Sequence, residues 1–165
     1  MKNNQPITDV EQILKPGDNL LSITDLKGAV TYASPSFIGF SGFTEPELYG
    51  QNHNAVRHPD MPEAAFADLW SKLKQDDSWR GMVKNRCKNG DYYWVDAYVT
   101  PVYINGRVTG YQSVRTSPSY EQKQKAQQLY DKLNNGKSNY DLQNNFRLKR
   151  IFAFFIIALS MTLNW

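Results

Sequence analysis

Arg57, His58 and Asp60 stand close together in the segment VRHPDMP, and together they could bind an anion. Arg57 can make a forked contact to a phosphate, and His58 can add a hydrogen-bond donor beside it. Asp60 would be repelled by a phosphate, so we expect its carboxylate to cap the following helix or to orient Arg57. Taken alone, Arg57 would be a surface residue in most sequences, so the cluster indicates a ligand site only in combination with other groups.

Aromatic and amide side chains later in the chain could complete such a site. Phe66, Trp70 and Trp79 could supply flat walls, and Asn85 carries both an amide donor and a carbonyl acceptor. Together these groups could bind a ligand that has an anionic part, flat rings and a polar edge, and the residues alone leave the identity of that ligand open. Phe66 and Trp70 lie four positions apart on one predicted helix, so they could instead be ordinary core residues that contact no ligand.

Strand and turn signals predict the sheet that must position these residues. Two short β-prone runs, 20–24 and 29–33, are joined by a turn in which Gly28 suits a positive φ, and they predict a hairpin. Three longer runs follow at about 80–88, 91–103 and 107–116. The pairs Asn89-Gly90 and Asn105-Gly106 separate them, and Asn-Gly is the strongest short hairpin signal because both positions of a type I′ turn need positive φ.

Two segments carry start signals for helices. In Thr44-Glu45-Pro46-Glu47 the threonine oxygen can cap the amide three residues on, and the glutamate can reach back to it. The segment Asp60-Met61-Pro62-Glu63 predicts the same start for the longest internal helix. The apolar positions of that helix recur at three- and four-residue spacing, so one face is expected to meet the core: Ala65, Phe66, Leu69, Trp70 and Leu73.

Past Pro118 the sequence becomes polar and predicts a connector helix. Its narrow apolar stripe would suit docking on the sheet or pairing with a second copy, and Asn135-Gly136 should end the helix; the stripe is formed by Ala126, Leu129, Tyr130 and Leu133.

The whole pattern predicts an α+β fold, a five-stranded antiparallel sheet with small helices on one face. The expected organisation is an N-terminal arm (1–19), a central α+β domain (20–117), a connector (118–136), a basic linker (137–150) and an apolar segment (151–165).

Composition narrows the class of protein. A chain of 165 residues with 41% hydrophobic and 13% aromatic residues is expected to form one folded domain of ordinary size. The lone cysteine, Cys87, excludes an internal disulfide and a multi-cysteine metal site, which fits a reducing compartment such as the cytoplasm. Residues 1–120 carry 12 Lys and Arg against 13 Asp and Glu, so nucleic-acid binding has little support.

The basic excess lies in the tail, where residues 121–165 carry 7 Lys and Arg against 3 Asp and Glu. Arg147, Lys149 and Arg150 precede the apolar run IFAFFIIALSMTLNW, and this order predicts a membrane segment with the preceding domain on the cytoplasmic side. As a helix the run would extend about 22 Å, against a hydrocarbon thickness of about 30 Å. We expect the sequence to stop inside a longer receptor's membrane segment, and an interfacial anchor is the alternative.

Three motifs, VRHPDMP, W-x-G and VKNR-x-KNGD-x-YW, give the chain a family resemblance. From about residue 22 to residue 136 it closely resembles the flavin-binding PAS domain of bacterial aerotaxis transducers. The resemblance implies a PAS fold and noncovalent FAD held with the help of Arg57, His58, Asp60, Trp79 and Asn85. It further implies redox or oxygen sensing for aerotaxis at the cytoplasmic face of the bacterial inner membrane, a homodimer, and control of a chemoreceptor signalling region further along the chain.

The segment YASPSF departs from the family pattern, because Ser34-Pro35 stands where many members carry an asparagine. Serine can still donate one hydrogen bond but has less reach. Ser34 is therefore a weaker candidate for the site, and the affinity for the cofactor could differ from that of the family.

The sequence leaves three other functions open. They are a haem-binding gas sensor using His53 or His58, a light sensor using Cys87, and a cofactor-free PAS dimerisation module. An enzyme is not expected, since no phosphate-loop, nucleophile-elbow or metal-ligand spacing is present.

Overall fold

A five-stranded antiparallel sheet forms the centre of the protein in the computed structural model, which describes residues 4–135. The strands lie in the order β2-β1-β5-β4-β3, so the first hairpin joins the edge of the three-stranded meander through β1 and β5. This arrangement confirms the predicted α+β sheet. The strands are β1 (Leu20–Asp25), β2 (Val30–Ala33), β3 (Trp79–Arg86), β4 (Tyr92–Ile104) and β5 (Arg107–Thr116).

The two Asn-Gly connections of the meander differ. Asn105 and Gly106 have φ of 50° and 75°, as a type I′ turn requires, and β4 and β5 meet there directly. The hairpin predicted at Asn89-Gly90 is confirmed, because β3 and β4 pair antiparallel, but its turn is not type I′. The Gly90 amide donates to the Cys87 carbonyl at 3.0 Å, and the connection runs from Arg86, where β3 ends, to Tyr92, where β4 begins. The longer loop is stabilised by side chains of the N-terminal arm, since Thr8 Oγ1 and Gln12 Nε2 each donate to the Asp91 carboxylate at 2.7 Å.

Four α-helices and one 3₁₀ helix complete the described residues. They are α1 (Pro35–Ser41), α2 (Glu45–Leu48), the 3₁₀ helix His53–Val56, α3 (Glu63–Leu73) and α4 (Tyr120–Asn134). The capping box predicted for α2 is confirmed, with the Thr44 amide donating to Glu47 Oε2 at 2.9 Å. The cap predicted at Asp60 is wrong. Pro62 occupies the N-cap position of α3, and the Asp60 carboxylate instead accepts from Lys84 Nζ at 2.7 Å.

The two faces of the sheet have different coverings. Helix α3 packs against β3 on the face of the sheet that carries Val83 and Asn85. The alternate side chains of β3, such as Met82, point to the other face. On that other face Tyr130 of α4 donates to the Met82 carbonyl at 2.6 Å and stacks on Trp94. The connector helix therefore docks on the sheet through Tyr130, which is one of the two arrangements that the sequence predicted.

The sheet, helices α1–α3 and α4 as far as Tyr130 belong to one compact unit, and every contact described below lies within it. Within residues 4–135 no helix is both long and apolar enough to cross a membrane. The predicted basic linker (137–150) and apolar membrane segment (151–165) lie outside the described residues.

Candidate functional site

A half-enclosed cavity of about 410 Å³ lies between the inner face of the sheet, α3 and the 3₁₀ helix His53–Val56. This volume falls in the range of about 300–1,000 Å³ that is common for small-molecule pockets. Five of the eight residues predicted for the site line it, namely Arg57, Phe66, Trp70, Trp79 and Asn85. The remaining three, Ser34, His58 and Asp60, are not among its lining residues.

Aromatic side chains form the apolar wall of the cavity. Phe66 and Trp70 of α3 are half-buried. The sequence predicted that their face of the helix would meet the core, but in the structure this face borders the cavity. Trp70 meets the Tyr111 ring edge-on with centroids 5.7 Å apart. A Cβ at Gly28, whose φ is 82°, would lie 3.4 Å from the Trp70 ring, so the β1–β2 turn packs closely against that wall.

Trp79 owes its position to the glycine of the W-x-G motif. A Cβ at position 81 would overlap the Trp79 ring, so only glycine leaves room for the indole to lie along the strand. The indole Nε1 donates to Asp68 Oδ2 on α3 at 2.8 Å. This hydrogen bond links β3 to α3 and holds the ring face against the cavity.

Arg57 lies at the cavity with one nitrogen unused. Its Nη2 donates to the Met61 carbonyl at 2.7 Å, and its guanidinium lies 4.0 Å from the centroid of the Phe66 ring. Its buried Nε has no hydrogen-bond partner among the described residues. Burial lowers the pKa of Arg57 and Glu63 opposes this shift, but an arginine remains a cation at neutral pH. The guanidinium can therefore still bind an anion.

His58 and Asp60 form a separate cluster with Lys84 behind the cavity wall. His58 is 2% exposed, and its Nδ1 accepts from the Asp60 amide at 3.2 Å. Burial, followed by the charge of Lys84, lowers the pKa of His58 to about 4, and Asp60 only partly opposes this shift. His58 is thus neutral at pH 7, and its backbone amide donates to the Lys84 carbonyl. These residues anchor the Arg57 segment along β3, so their effect on a ligand would pass through Arg57.

Ser34 has a structural role at the start of α1. Its Oγ accepts from the amides of Phe37 at 3.2 Å and Leu21 at 3.1 Å. It therefore caps the helix and ties it to β1, which accounts for a serine at this position without a ligand.

The structure adds a pair of cavity residues, Arg115 and His53. The sequence motifs gave no sign that these two residues lie together. Arg115 is 3% exposed, and its Nη2 donates to Ser22 Oγ at 3.0 Å and to His53 Nε2 at 2.6 Å. Because arginine has no acceptor, His53 Nε2 must be unprotonated in this contact. The Phe37 ring stacks with His53 and lies below the guanidinium, 4.9 Å away.

The electrostatics of this pair favour an anionic ligand. Burial lowers the pKa of Arg115 to about 10, so it stays charged at neutral pH, and no carboxylate among the described residues forms a salt bridge with it. Burial and then Arg115 lower the pKa of His53 to about 3, although His53 keeps some exposure through the cavity. A buried cation without a counter-ion is costly. A negative or strongly polar group of a ligand would offset that cost.

Two alternative chemistries fit the geometry less well. A haem needs a free axial nitrogen, but His53 Nε2 is engaged by Arg115 and His58 lies outside the cavity. A light-driven thiol adduct needs a cysteine beside the ring, but Cys87 does not line this cavity. Burial raises the pKa of Cys87 to about 11, so its thiol stays protonated.

Comparison with protein families identifies the domain. The model of the PAS fold matches residues 30–115, which include β2, β3, β4, nearly all of β5 and all of α3. The chain belongs to the PAS family. The cavity of this PAS domain therefore lies between the family's sheet and helices.

Relatives and solved structures agree with this assignment. The chain is 45% identical over 139 residues to the aerotaxis receptor of Escherichia coli, covering 84% of this chain and 28% of that protein. It is 33% identical over 82 residues to the nitrogen fixation regulatory protein of Klebsiella pneumoniae, covering 50% of this chain and 17% of that protein. The resemblance to aerotaxis transducers is confirmed, and this PAS domain spans about a quarter of the aerotaxis receptor's length.

The solved structures support the fold. The dark structure of the blue-light photoreceptor Aureochrome1 LOV is 18% identical with a TM-score of 0.57, and covers 72% of this chain and 83% of its own. A light-oxygen-voltage domain studied with a flavin analogue is 20% identical with a TM-score of 0.59, and covers 72% of this chain and 89% of its own. Both confirm the predicted PAS fold.

Proposed function

We propose that this PAS domain binds FAD noncovalently and senses redox state, as the input module of an aerotaxis receptor. The observation that carries the proposal is the buried Arg115, which has no carboxylate partner in the described part of the chain and faces an aromatic-walled cavity beside neutral His53. The 45% identity to a protein named as an aerotaxis receptor supports the same function.

The residues around the cavity match the parts of a flavin nucleotide. Phe66, Trp70 and Trp79 would hold the faces of the ring system, and Asn85 and Arg115 would bind its polar edge. Arg57 would hold the pyrophosphate, since its Nε is unused and its guanidinium can make a forked contact. A bound flavin supplies the redox chemistry, because its ring changes charge and protonation when it is reduced.

The response of these residues has to be large enough to signal. A full shift of a two-state element needs about 5.5 kcal/mol of differential interaction, whereas one neutral hydrogen bond contributes about 1 kcal/mol net. A hydrogen bond to a charged group contributes about 1.5–3 kcal/mol. Arg115 is therefore better suited than Asn85 alone to respond to a change of charge on the ring. The two acting together would supply about 2.5–4 kcal/mol, which is enough for a partial shift.

A route for the response leads through β3. Asn85 faces the cavity, while Met82 on the same strand accepts from Tyr130 of α4 on the opposite face. A small movement of β3 would therefore change the docking of the connector helix. In the whole receptor we propose that this helix signals to a downstream chemoreceptor region, in a homodimer at the cytoplasmic face of the bacterial inner membrane.

An absorption spectrum of the purified protein tests the proposal. The protein should be yellow, its paired flavin bands should bleach on reduction, and acid should release intact FAD. A sharp Soret band without flavin would establish the haem sensor instead. A colourless, folded dimer would favour the cofactor-free dimerisation module, and acid release of FMN would correct the identity of the nucleotide.

A further inference from the structure

The charged side chains that line the cavity are all cations. Lys27, Arg57 and Arg115 line it, and none of the described residues around it is an aspartate or a glutamate. His53, whose pKa is lowered to about 3, adds no charge at neutral pH and compensates none. A concave site with charges of one sign and low-dielectric walls concentrates their field. The lining therefore favours a ligand that carries more than one negative charge.

The three cations lie at different depths. Arg115 is 3% exposed, Arg57 is half-buried and Lys27 is exposed. Asn52 and Asn54, which also line the cavity, are exposed like Lys27, so these three side chains mark the mouth of the cavity. A ligand with a chain of anionic groups leading from the interior to solvent would therefore meet Arg57 before Lys27.

The backbone of Lys27 is held in place at this mouth. Its amide donates to Asp25 Oδ1 at 2.8 Å, and its carbonyl accepts from Asn52 Nδ2 at 3.2 Å. The carbonyl of the next residue, Gly28, accepts from the His53 amide at 2.8 Å. The β1–β2 turn is thus fixed to the 3₁₀ helix by bonds that do not involve the Lys27 side chain. Substitution of that side chain should leave the turn intact.

The Lys27 ammonium is available to a ligand. It forms no salt bridge within residues 4–135. The carboxylate on the same turn, that of Asp25, accepts from the backbone amides of Lys27 and Ala29. An ammonium on a flexible stem is a compact charge that can follow a phosphate at the edge of a pocket. The ordinary alternative is a solvated surface lysine, which would have no effect on a ligand.

We propose that Lys27 selects the dinucleotide, by binding the adenosine-side phosphate of FAD at the mouth of the cavity while Arg57 binds the flavin-side phosphate. The inference rests on the proposed flavin function and extends it to the choice among flavins. FMN ends at one phosphate, which would reach Arg57 and stop short of Lys27, and riboflavin has no phosphate. Lys27 therefore adds binding free energy for FAD alone.

Lys27→Gln tests the inference, because glutamine keeps much of the side chain and removes the charge. Flavin fluorescence titrations of the apoprotein at low ionic strength give the affinities for FAD, FMN and riboflavin. The affinity for FAD should fall about three- to fivefold, the size of one exposed charge pair, and those for FMN and riboflavin should not change. Lys27→Arg should keep the parent's affinity for FAD, and added salt should reduce the parent's preference for FAD over FMN.

Lys15→Gln is the matched control, since Lys15 is an exposed lysine in a turn of the N-terminal arm and does not line the cavity. The two variants change the net charge equally, and Lys15→Gln should keep all three affinities. An equal loss of FAD affinity in both variants would show that net charge alone matters, and would overturn the inference. A Lys27→Gln protein that keeps the parent's ratio of FAD to FMN affinity, or loses affinity equally for all three flavins, would overturn it as well.

Phosphorus nuclear magnetic resonance of the FAD-bound protein distinguishes the two phosphates directly. Lys27→Gln should move the adenosine-side resonance more than the flavin-side one, and the reverse order, or no movement of either, contradicts the inference. A parent protein that binds none of the three flavins would defeat the proposed function itself. A parent that binds FMN at least as tightly as FAD would defeat only the role of Lys27.

Discussion

Replacing Arg115 with methionine would show whether this buried arginine serves the ligand or the fold. Methionine keeps much of the length and apolar character of the side chain and removes the charge and all donors. The exposed Arg107, on the same strand, offers Arg107→Met as a control of identical chemistry outside the cavity.

The contacts of Arg115 set the expected size of the effect without ligand. Its two close hydrogen bonds, to Ser22 and His53, are each worth about 1.5–3 kcal/mol because the donor is charged. Its contacts to the Leu20 and Ser113 carbonyls, both at 3.5 Å, are at the limit of hydrogen bonding. Removing the buried charge also relieves a desolvation penalty of several kcal/mol. These opposing effects nearly cancel, so the free energy of unfolding of the apoprotein should change by less than about 2 kcal/mol.

The effect on the ligand should be larger, because nothing cancels it. Losing one charge-assisted hydrogen bond to the flavin costs about 1.5–3 kcal/mol, which is roughly a tenfold to hundredfold loss of affinity. The midpoint potential should fall as well, since a cation beside the ring favours the more negative, reduced state. Flavin fluorescence titration gives the affinity, and chemical denaturation of the apoprotein gives the stability.

Two results would refute this reasoning. Arg115→Met could bind flavin as tightly as the parent and Arg107→Met, which would show that Arg115 does not contact the ligand. Alternatively, the apoprotein could lose more than about 4 kcal/mol of stability with an unchanged midpoint potential in any flavin-bound fraction. Arg115 would then be a structural residue whose hydrogen bonds outweigh its desolvation.

Three further predictions follow from other contacts. Arg57→Ala should lose flavin from a folded apoprotein, and Arg57→Lys should not restore it because lysine cannot form the forked contact; bound flavin per folded protein is the measurement. Ser34→Ala should lower the free energy of unfolding by about 1 kcal/mol through loss of the α1 cap, with flavin affinity unchanged in titration. His53→Gln should reduce the loss of apoprotein stability between pH 6.5 and pH 4. In this range folded His53, with a pKa of about 3, stays neutral, whereas the same histidine in the unfolded chain takes up a proton and so favours unfolding. Denaturation midpoints of the variant that fall with pH as steeply as the parent's would contradict this.

Local signals in the sequence predicted the elements of the fold. The β4–β5 turn depends on two residues that tolerate positive φ, Asn105 and Gly106, and the start of α2 depends on two side chains three positions apart, Thr44 and Glu47. Such interactions involve neighbours in the chain, so the pattern of residue types is sufficient to predict them. The same is true of the β1–β2, β3–β4 and β4–β5 pairs, which join successive strands, whereas the β1–β5 pair joins the two ends of the domain.

The site was predicted only in part, because its remaining features depend on pairings between distant residues. Asp60 matches a capping signal, but Lys84, 24 positions later, brings its ammonium to the carboxylate and the helix begins after Pro62. Arg115 follows Tyr111 at an even spacing on β5, so strand alternation could have placed it on the cavity face. Without a known inner face the sequence could not distinguish it from an ordinary surface arginine.

The described chain has four enclosed side-chain atoms without hydrogen-bond partners, and their distribution connects stability to function. Arg57 Nε and Asn85 Nδ2 belong to cavity-lining residues and the Tyr93 hydroxyl lies directly behind one of them, whereas Arg86 Nε is on the opposite side of β3. Arg57 Nε and Asn85 Nδ2 are therefore the two that a ligand could pair with, and a buried group left unpaired costs about 1–3 kcal/mol. A ligand that satisfies them recovers this free energy, and it does so to a different extent in each of its protonation states. The same unpaired groups that make the empty domain less stable therefore make the occupied domain responsive to the chemistry of its ligand.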